Sequence, residues 1–219
     1  ANTQEPLFLV NRGGNRPSSE GAAPYYDRAI ALCRQAGFDD ILLRGDTDFS
    51  QTRHLDDWDD DGVRFVFGYD ARANMKTKAA ELNDADFKAM ERAARRHFDE
   101  DKRRAQQPRI KERIVREKKY KNIRLDSEDV GEFDYQPCAC DRAYRVEVLR
   151  KNLTIERGEQ ALFDEIRYFF YITNDRDLSA DDVVREANAR CHQENLIEQL
   201  KNGVRALHAP VNTLHANWA

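Results

Sequence analysis

Apolar residues recur along this chain at two spacings, and the spacing changes with position. "PLFLVNR" at 6–12 is a short hydrophobic run and predicts a strand. After the loop "GGNRPS", Ala23, Tyr26, Ala29, Ile30 and Cys33 recur at helical spacing. Ser18 or Ser19 would cap that helix, Pro24 lies in its first turns where proline is tolerated, and Gly37 would stop it. "DDILLRGDTDF" at 39–49 reads as a strand running into acidic residues. A short segment, "TRHLDDWDDDG", then leads to the strand "VRFVFGYD". Strand, helix, strand, short segment, strand is the order of an α/β layer with at least part of its sheet parallel.

The pattern changes near residue 72. "DADFKAMERAARRHF" at 84–98 places Phe87, Met90, Ala94 and Phe98 on one side of a helix. Strand-like pieces follow: "ERIVREKKYKNIRL", "RAYRVEVLRK" and "IRYFFYITN", with "SEDVGE" and "ERGE" read as turns between them. "RYFFYITN" lacks polar alternation and predicts a central strand buried on both faces. Ser179, with Asp182 three residues later, opens the last long helix as a capping-box-like pair. The expected organisation is a first core part at 1–71, an insertion with its own strands at 72–165, and a core strand with the final helix at 166–219.

That final helix, "REANARCHQENLIEQLKNG" at 185–203, carries charge on its packing edge. Arg190, Glu194 and Lys201 fall within about 40° of one another around a helix. Ile197 and Val204 flank them on one side, Ala187 and Cys191 on the other. An exposed Arg190–Glu194 pair, worth about 0.3–0.5 kcal/mol, would not need apolar flanks. A carboxylate facing a cleft would.

Composition narrows the classes. With 219 residues the chain can bury a sizeable core, and its hydrophobic share of 40% is that of a globular protein. No apolar run is long enough to cross a bilayer, and no signal peptide is visible. The two ends read as cut from something longer. The net charge of −4 is unevenly spread. "HLDDWDDDG" is very acidic, whereas 102–124 is strongly basic and suited to track phosphates, or to solvate a surface. Of four cysteines, Cys138 and Cys140 form a lone C-x-C without the second cluster that zinc requires, so a loop role and a reducing cytosol are expected.

Two acidic features remain. "DWDDDG" at 57–62 mimics a calcium loop, but Gly68 stands where its twelfth-position Glu belongs, so a solvated helix turn is expected instead. Asp46 ends a strand, where α/β proteins collect ligands, and Asp48 follows on the same face of an extended chain. An ordinary strand-ending turn explains them as well. Asp46 from a strand end and Glu194 from a packed helix could together hold Mg²⁺, and two such ions about 3.5–4 Å apart serve phosphodiester chemistry. That arrangement calls for a third carboxylate, and "PLFLVNR" has none.

These residues resemble the DDE transposases of bacterial insertion sequences. Arg190, Glu194 and Lys201 match the Y-x2-R-x3-E-x6-K signature, with Ala187 in place of its tyrosine. "RGDTDF" resembles the family's R-x-D-S-G-F segment, with Asp46 as its aspartate and Asp48 where glycine is usual. "VRFVFG", "QENLIEQLKNGV" and "NTLHANWA" are similar to further family segments. The resemblance implies an α/β fold: a ribonuclease H-like mixed sheet flanked by helices, with a strand-containing insertion before the final catalytic helix. It implies catalysis by Asp46 and Glu194 with two Mg²⁺ (or Mn²⁺) ions, and a first aspartate on a strand preceding this chain. Arg190 and Lys201, with Arg12 and Arg16, would contact DNA. The partners implied are double-stranded DNA at transposon ends and target, and a second copy in a synaptic complex, with no membrane. The location implied is the bacterial cytoplasm, at the nucleoid. The alternative is a DNA-binding or regulatory remnant without catalysis.

Overall fold

The computed structural model describes residues 7–8, 10, 16–17, 19–90, 114–115, 117–158, 160–189 and 197–203. Its centre is a mixed six-stranded sheet in the order β1-β2-β6-β5-β4-β3. β1 (Leu42–Gly45) and β2 (Arg64–Tyr69) are parallel. β3 (Lys88–Ala89), β4 (Lys121–Tyr135), β5 (Tyr144–Arg157) and β6 (Gln160–Thr173) complete it with antiparallel pairings. Among the described residues, three helices cover one face: α1 (Ala23–Gln35), α2 (Leu55–Asp60) and α3 (Ala73–Glu81). Ile30, Trp58 and Met75 from these helices pack on Leu43, Phe65, Phe67, Val146 and Phe170. α4 (Ala180–Asn188) covers the other face, where Val183 and Ala187 meet Val66, and Val184 meets Val130 and Leu149.

Alternation along β1 and β2 explains this two-sided burial. Leu43, Phe65 and Phe67 point to the three-helix layer, while Leu42 and Val66 point to α4. Fully buried Phe65 and Phe67 anchor the larger core, with Trp58 and Tyr26 rings at 5.9 and 6.0 Å from Phe67. The Trp58 indole N–H is satisfied by Asp27 at 2.9 Å.

Several expected features are present. Gly37 ends α1 at φ +84°, and Pro24 sits in the first turn. Ser179 caps α4, accepting from the Asp182 N–H at 3.2 Å and donating to its carboxylate at 2.6 Å. "HLDDWDDD" is a helical turn, α2, whose Asp59 and Asp60 are clamped by Arg142 at 2.8 and 2.7 Å. Cys138 and Cys140 lie in the β4–β5 connection. The Cys140 thiol donates to the Thr52 carbonyl at 3.1 Å. Burial, then Asp56 and Asp141, pushes that thiol up to about 11, which disfavours the thiolate a metal would need.

Other expectations are corrected. Leu7, Phe8 and Val10 are in no strand; the Phe8 ring instead lies tilted against Tyr25, with Arg28 over it. The α1 N-cap is Ala22, without a side-chain cap, so neither serine fills that role. No helix spans 84–90: Asp84–Asp86 form a 3-10 turn, and Lys88–Ala89 pair with β4 as a strand. Phe87 is taken up by packing under the Arg150 guanidinium, 3.9 Å from the ring centroid. "SEDVGE" is no turn but the middle of β4; its polarity is absorbed by a bulge between Leu125 and Ser127 and by cross-strand bonds such as Asn152 to Asp129 at 2.9 Å. "RYFFYITN" is central only where β2 joins it, from Phe170 onward.

One carboxylate lies wholly inside. Glu147 on β5 is fully buried beneath α4, with Arg145 at 2.6 Å. Burial dominates, and with Glu132 and Asp181 nearby it outweighs Arg145, raising the Glu147 carboxyl to about 8. The native state therefore holds a proton that the unfolded chain releases between the ordinary carboxylate pKa and about 8. Stability is greatest below that window and falls as pH rises through it. Glu147→Gln cannot titrate and should flatten the fall, gaining roughly 3 kcal/mol on wild type at pH 8.5 and little at pH 5. Urea unfolding at the two pH values measures this; equal curves for both proteins at pH 8.5 would remove Glu147 as the cause.

Candidate active site

β1 and β2 run in parallel toward one end of the sheet, and Asp46 stands at the carboxyl end of β1. Its backbone is still extended, at φ −81° and ψ −174°, before the chain coils into the 3-10 turn Thr47–Phe49. The Asp46 carboxylate caps that turn, accepting from the Asp48 N–H at 3.1 Å. Asp46 is half-buried and Asp48 exposed. The cap separates two acids that sequence spacing alone leaves equivalent.

Two glycines let this turn sit on the sheet. A Cβ on Gly68 of β2 would lie 2.9 Å from the Thr47 nitrogen and 3.2 Å from the Asp46 carbonyl carbon. A Cβ on Gly45 would lie 2.9 Å from the Phe49 Cβ. Only glycine allows so close an approach, to backbone at Gly68 and to the Phe49 and Phe67 side chains at Gly45.

Both helical layers reach this end of the sheet. From α1 comes Tyr26, whose phenol is raised to about 12 by burial and then by the Asp46 charge. On the opposite side, Arg44 is two residues before Asp46 and faces α4. Its Nη1 contacts the Glu186 carboxylate at 2.9 Å and the Glu186 carbonyl at 3.4 Å, in the last turn of α4. A cavity of about 170 Å³ opens at the same sheet end, beyond β2, lined by Ser50, Thr52, Tyr69, Asp70, Arg72 and Tyr135. Burial and neighbouring Tyr135 push the Tyr69 phenol up.

A family model of the transposase DDE domain group 1 matches residues 1–219. The chain belongs to this family of DDE transposases. No curated protein matches it, and no solved structure does. The mixed sheet flanked by helices is the ribonuclease H-like α/β fold of DDE transposases. The chain therefore has a role in DNA transposition, with DNA as its partner, in a family whose chemistry uses divalent metal ions.

The other residues singled out in this transposase chain are spread out or undescribed. Arg16 is exposed and paired with Glu20, its Nε at 2.5 Å. Lys201 is exposed in the π-helical turn Gln199–Gly203. Arg12, Arg190 and Glu194 lie outside the described residues. Among the described residues no three His, Cys, Asp or Glu side chains gather as a metal site, and no helix is long and apolar enough to cross a membrane. Tyr26 near Asp46, and the Arg44–Glu186 pair on the other side of β1, escaped the sequence reading. Arg44 alone had a signal, as the arginine of R-x-D; the other two come from distant helices.

Proposed function

We propose that this transposase domain cleaves phosphodiester bonds at transposon ends and joins them to target DNA, with Asp46 and Glu194 as metal-holding carboxylates. The observation that carries the reading is the position of Asp46. It ends a strand of the parallel pair, and Arg44, on the same strand, is tied to the last turn of α4 through Glu186 at 2.9 Å. Glu194 follows Asn188, the last residue of α4, by six positions, so the chain sets out for Glu194 from beside the strand of Asp46.

Carboxylate oxygens suit hard divalent cations, and Asp46 offers them at a sheet end. Bound there, two Mg²⁺ or Mn²⁺ ions would make water a stronger nucleophile and stabilise the leaving oxygen. In hydrolysis the water oxygen joins phosphorus and the 3′-oxygen leaves; that 3′-hydroxyl then attacks a target phosphodiester. Arg190 and Lys201, with Arg12 and Arg16, hold phosphates and so position the strand without reading its sequence. Arg16 must exchange Glu20 for phosphate to do so. The synaptic form is a homodimer on double-stranded DNA. Residues 72–165 form the insertion between core parts 1–71 and 166–219. In support, β2 pairs with β6 only at 170–173, while β4, β5 and the rest of β6 extend the sheet outward.

Nicking of supercoiled DNA by the full-length transposase, as wild type and as Glu194→Gln, with Mg²⁺ or Mn²⁺, tests this. The expected result is loss of nicking in the variant with DNA binding retained. Equal nicking by both removes Glu194 from the site. Salt-sensitive DNA binding without nicking by the wild type favours a regulatory, non-catalytic role.

A further inference from the structure

α4 is held at its start and along its length by contacts that differ from the one at its end. Arg145 bonds the Leu178 carbonyl at 2.6 Å, just before the Ser179 cap. Val183, Val184 and Ala187 then pack on the sheet. Apolar packing keeps a helix on a sheet but has no direction of its own. At the far end Arg44 of β1 makes a directed contact. Its Nη1 donates to the Glu186 carboxylate at 2.9 Å and to the Glu186 carbonyl at 3.4 Å. Among the described residues Arg44 bonds no other side chain. α4 ends at Asn188, so this carbonyl lies in the last turn, where a helix leaves its carbonyl groups unpaired and its dipole negative. A cation from the helix itself commonly serves there. In α4 that cation would be Arg185, but it turns back toward Asp182 at 3.1 Å and the Asp181 carbonyl at 3.2 Å. The strand of Asp46 supplies the cation instead.

We propose that Arg44 is a positioning residue: it pins the end of α4 to the strand that presents Asp46, and so sets where the chain leaves α4 toward Glu194. This rests on the reading of Asp46 and Glu194 as the metal-holding carboxylates. Asp46 follows Arg44 by two residues, with its backbone still extended, so little slack separates the pin from the carboxylate. Removing a group that orients metal-holding side chains commonly costs roughly 10–100-fold in metal affinity or activity. Arg44 acts through Glu186 and touches no reacting atom. A phosphate-gripping Arg44 would act on DNA affinity and its salt dependence instead. A merely structural Arg44 would lower the melting temperature and leave the metal requirement where it is.

Single-turnover nicking by the full-length transposase across a range of Mg²⁺ concentrations tests the proposal, with DNA affinity and melting temperature measured for each protein. Arg44→Met should raise the half-saturating Mg²⁺ at least about tenfold, with DNA affinity within about threefold of wild type. The sign is diagnostic. By charge alone, removing a cation near Asp46 would lower the Mg²⁺ requirement. Glu186→Ala should act in the same direction, and the double variant should be little worse than Arg44→Met, because both changes break one contact. Hydrogen exchange of the metal-free protein should quicken at the end of α4 in Arg44→Met and stay as in wild type at Val183 and Val184. An unchanged or lowered Mg²⁺ requirement in Arg44→Met, additive losses in the double variant, or a loss mainly of DNA affinity would each overturn the positioning role. Asp46→Asn separates this from the reading beneath it. If Asp46→Asn nicks like wild type, the metal-holding assignment falls and the positioning role with it. If Asp46→Asn is inactive while Arg44→Met behaves as wild type, the positioning role alone falls.

Discussion

Asp46→Asn should lower metal-dependent nicking by at least about a thousandfold while leaving the fold intact. The amide keeps an oxygen for the Asp48 N–H, now 3.1 Å from the carboxylate, so the 3-10 turn remains capped. What it loses is the negative charge that a divalent cation requires. Asp48→Asn should stay within about threefold of wild type, because that side chain is exposed and the turn uses only its backbone. Single-turnover nicking of the two variants, with melting curves alongside, separates the roles. If Asp48→Asn is the inactive one, the ligand assignment moves by two residues. A large drop in melting temperature for Asp46→Asn would make its loss of activity structural.

Gly68→Val should be the most damaging single substitution near the site that touches no catalytic group. Valine favours strands, so strand propensity predicts a neutral or stabilising change. The tertiary contact predicts the reverse. The new Cβ would start 2.9 Å from the backbone nitrogen of Thr47, which cannot rotate away as a side chain could. Either β2 or the Asp46 turn must move. Overpacking of this kind costs about 3 kcal/mol, or roughly 6–12 °C in melting temperature for a chain of this size. Displacement of the Asp46 turn should also suppress nicking in whatever protein remains folded. Calorimetry showing an unchanged melting temperature would mean that the turn yields freely, and would end its claim to be a rigid mount for Asp46.

Local periodicity made part of this fold legible. α1 with its Gly37 stop, the parallel β1 and β2, and the Ser179 cap of α4 depend on patterns a few residues long, and each is present. Where sequence reading failed, a distant partner decided. Phe87 and Met90 have helical spacing, but Lys88 and Ala89 between them pair with Val130 and Asp129 of β4. The polar "SEDVGE" reads as a turn because alternation breaks there. The break is a bulge inside a strand whose polar side chains find partners across β5. Phe8 has a strand-forming sequence around it, yet takes up a place beside Tyr25.

The same division holds at the site. Asp46 is legible in the sequence as a candidate, because a carboxylate after a hydrophobic strand and before a turn is a local feature. Its setting is not, since both acids alternate onto one face until the 3-10 turn folds and Asp46 caps it. Sequence by itself determined the class of the chain, the strand that presents Asp46 and the capped helix leading toward Glu194. Tertiary structure alone decided that Gly45 and Gly68 must be bare for the turn to seat, that Arg44 reaches Glu186 across 142 positions of chain, and that Glu147 is sealed beneath α4. The reason is range. Periodicity, capping and strand-ending acids act over one or two turns of backbone, whereas clearance, burial and charge pairing depend on which distant segments the sheet brings together.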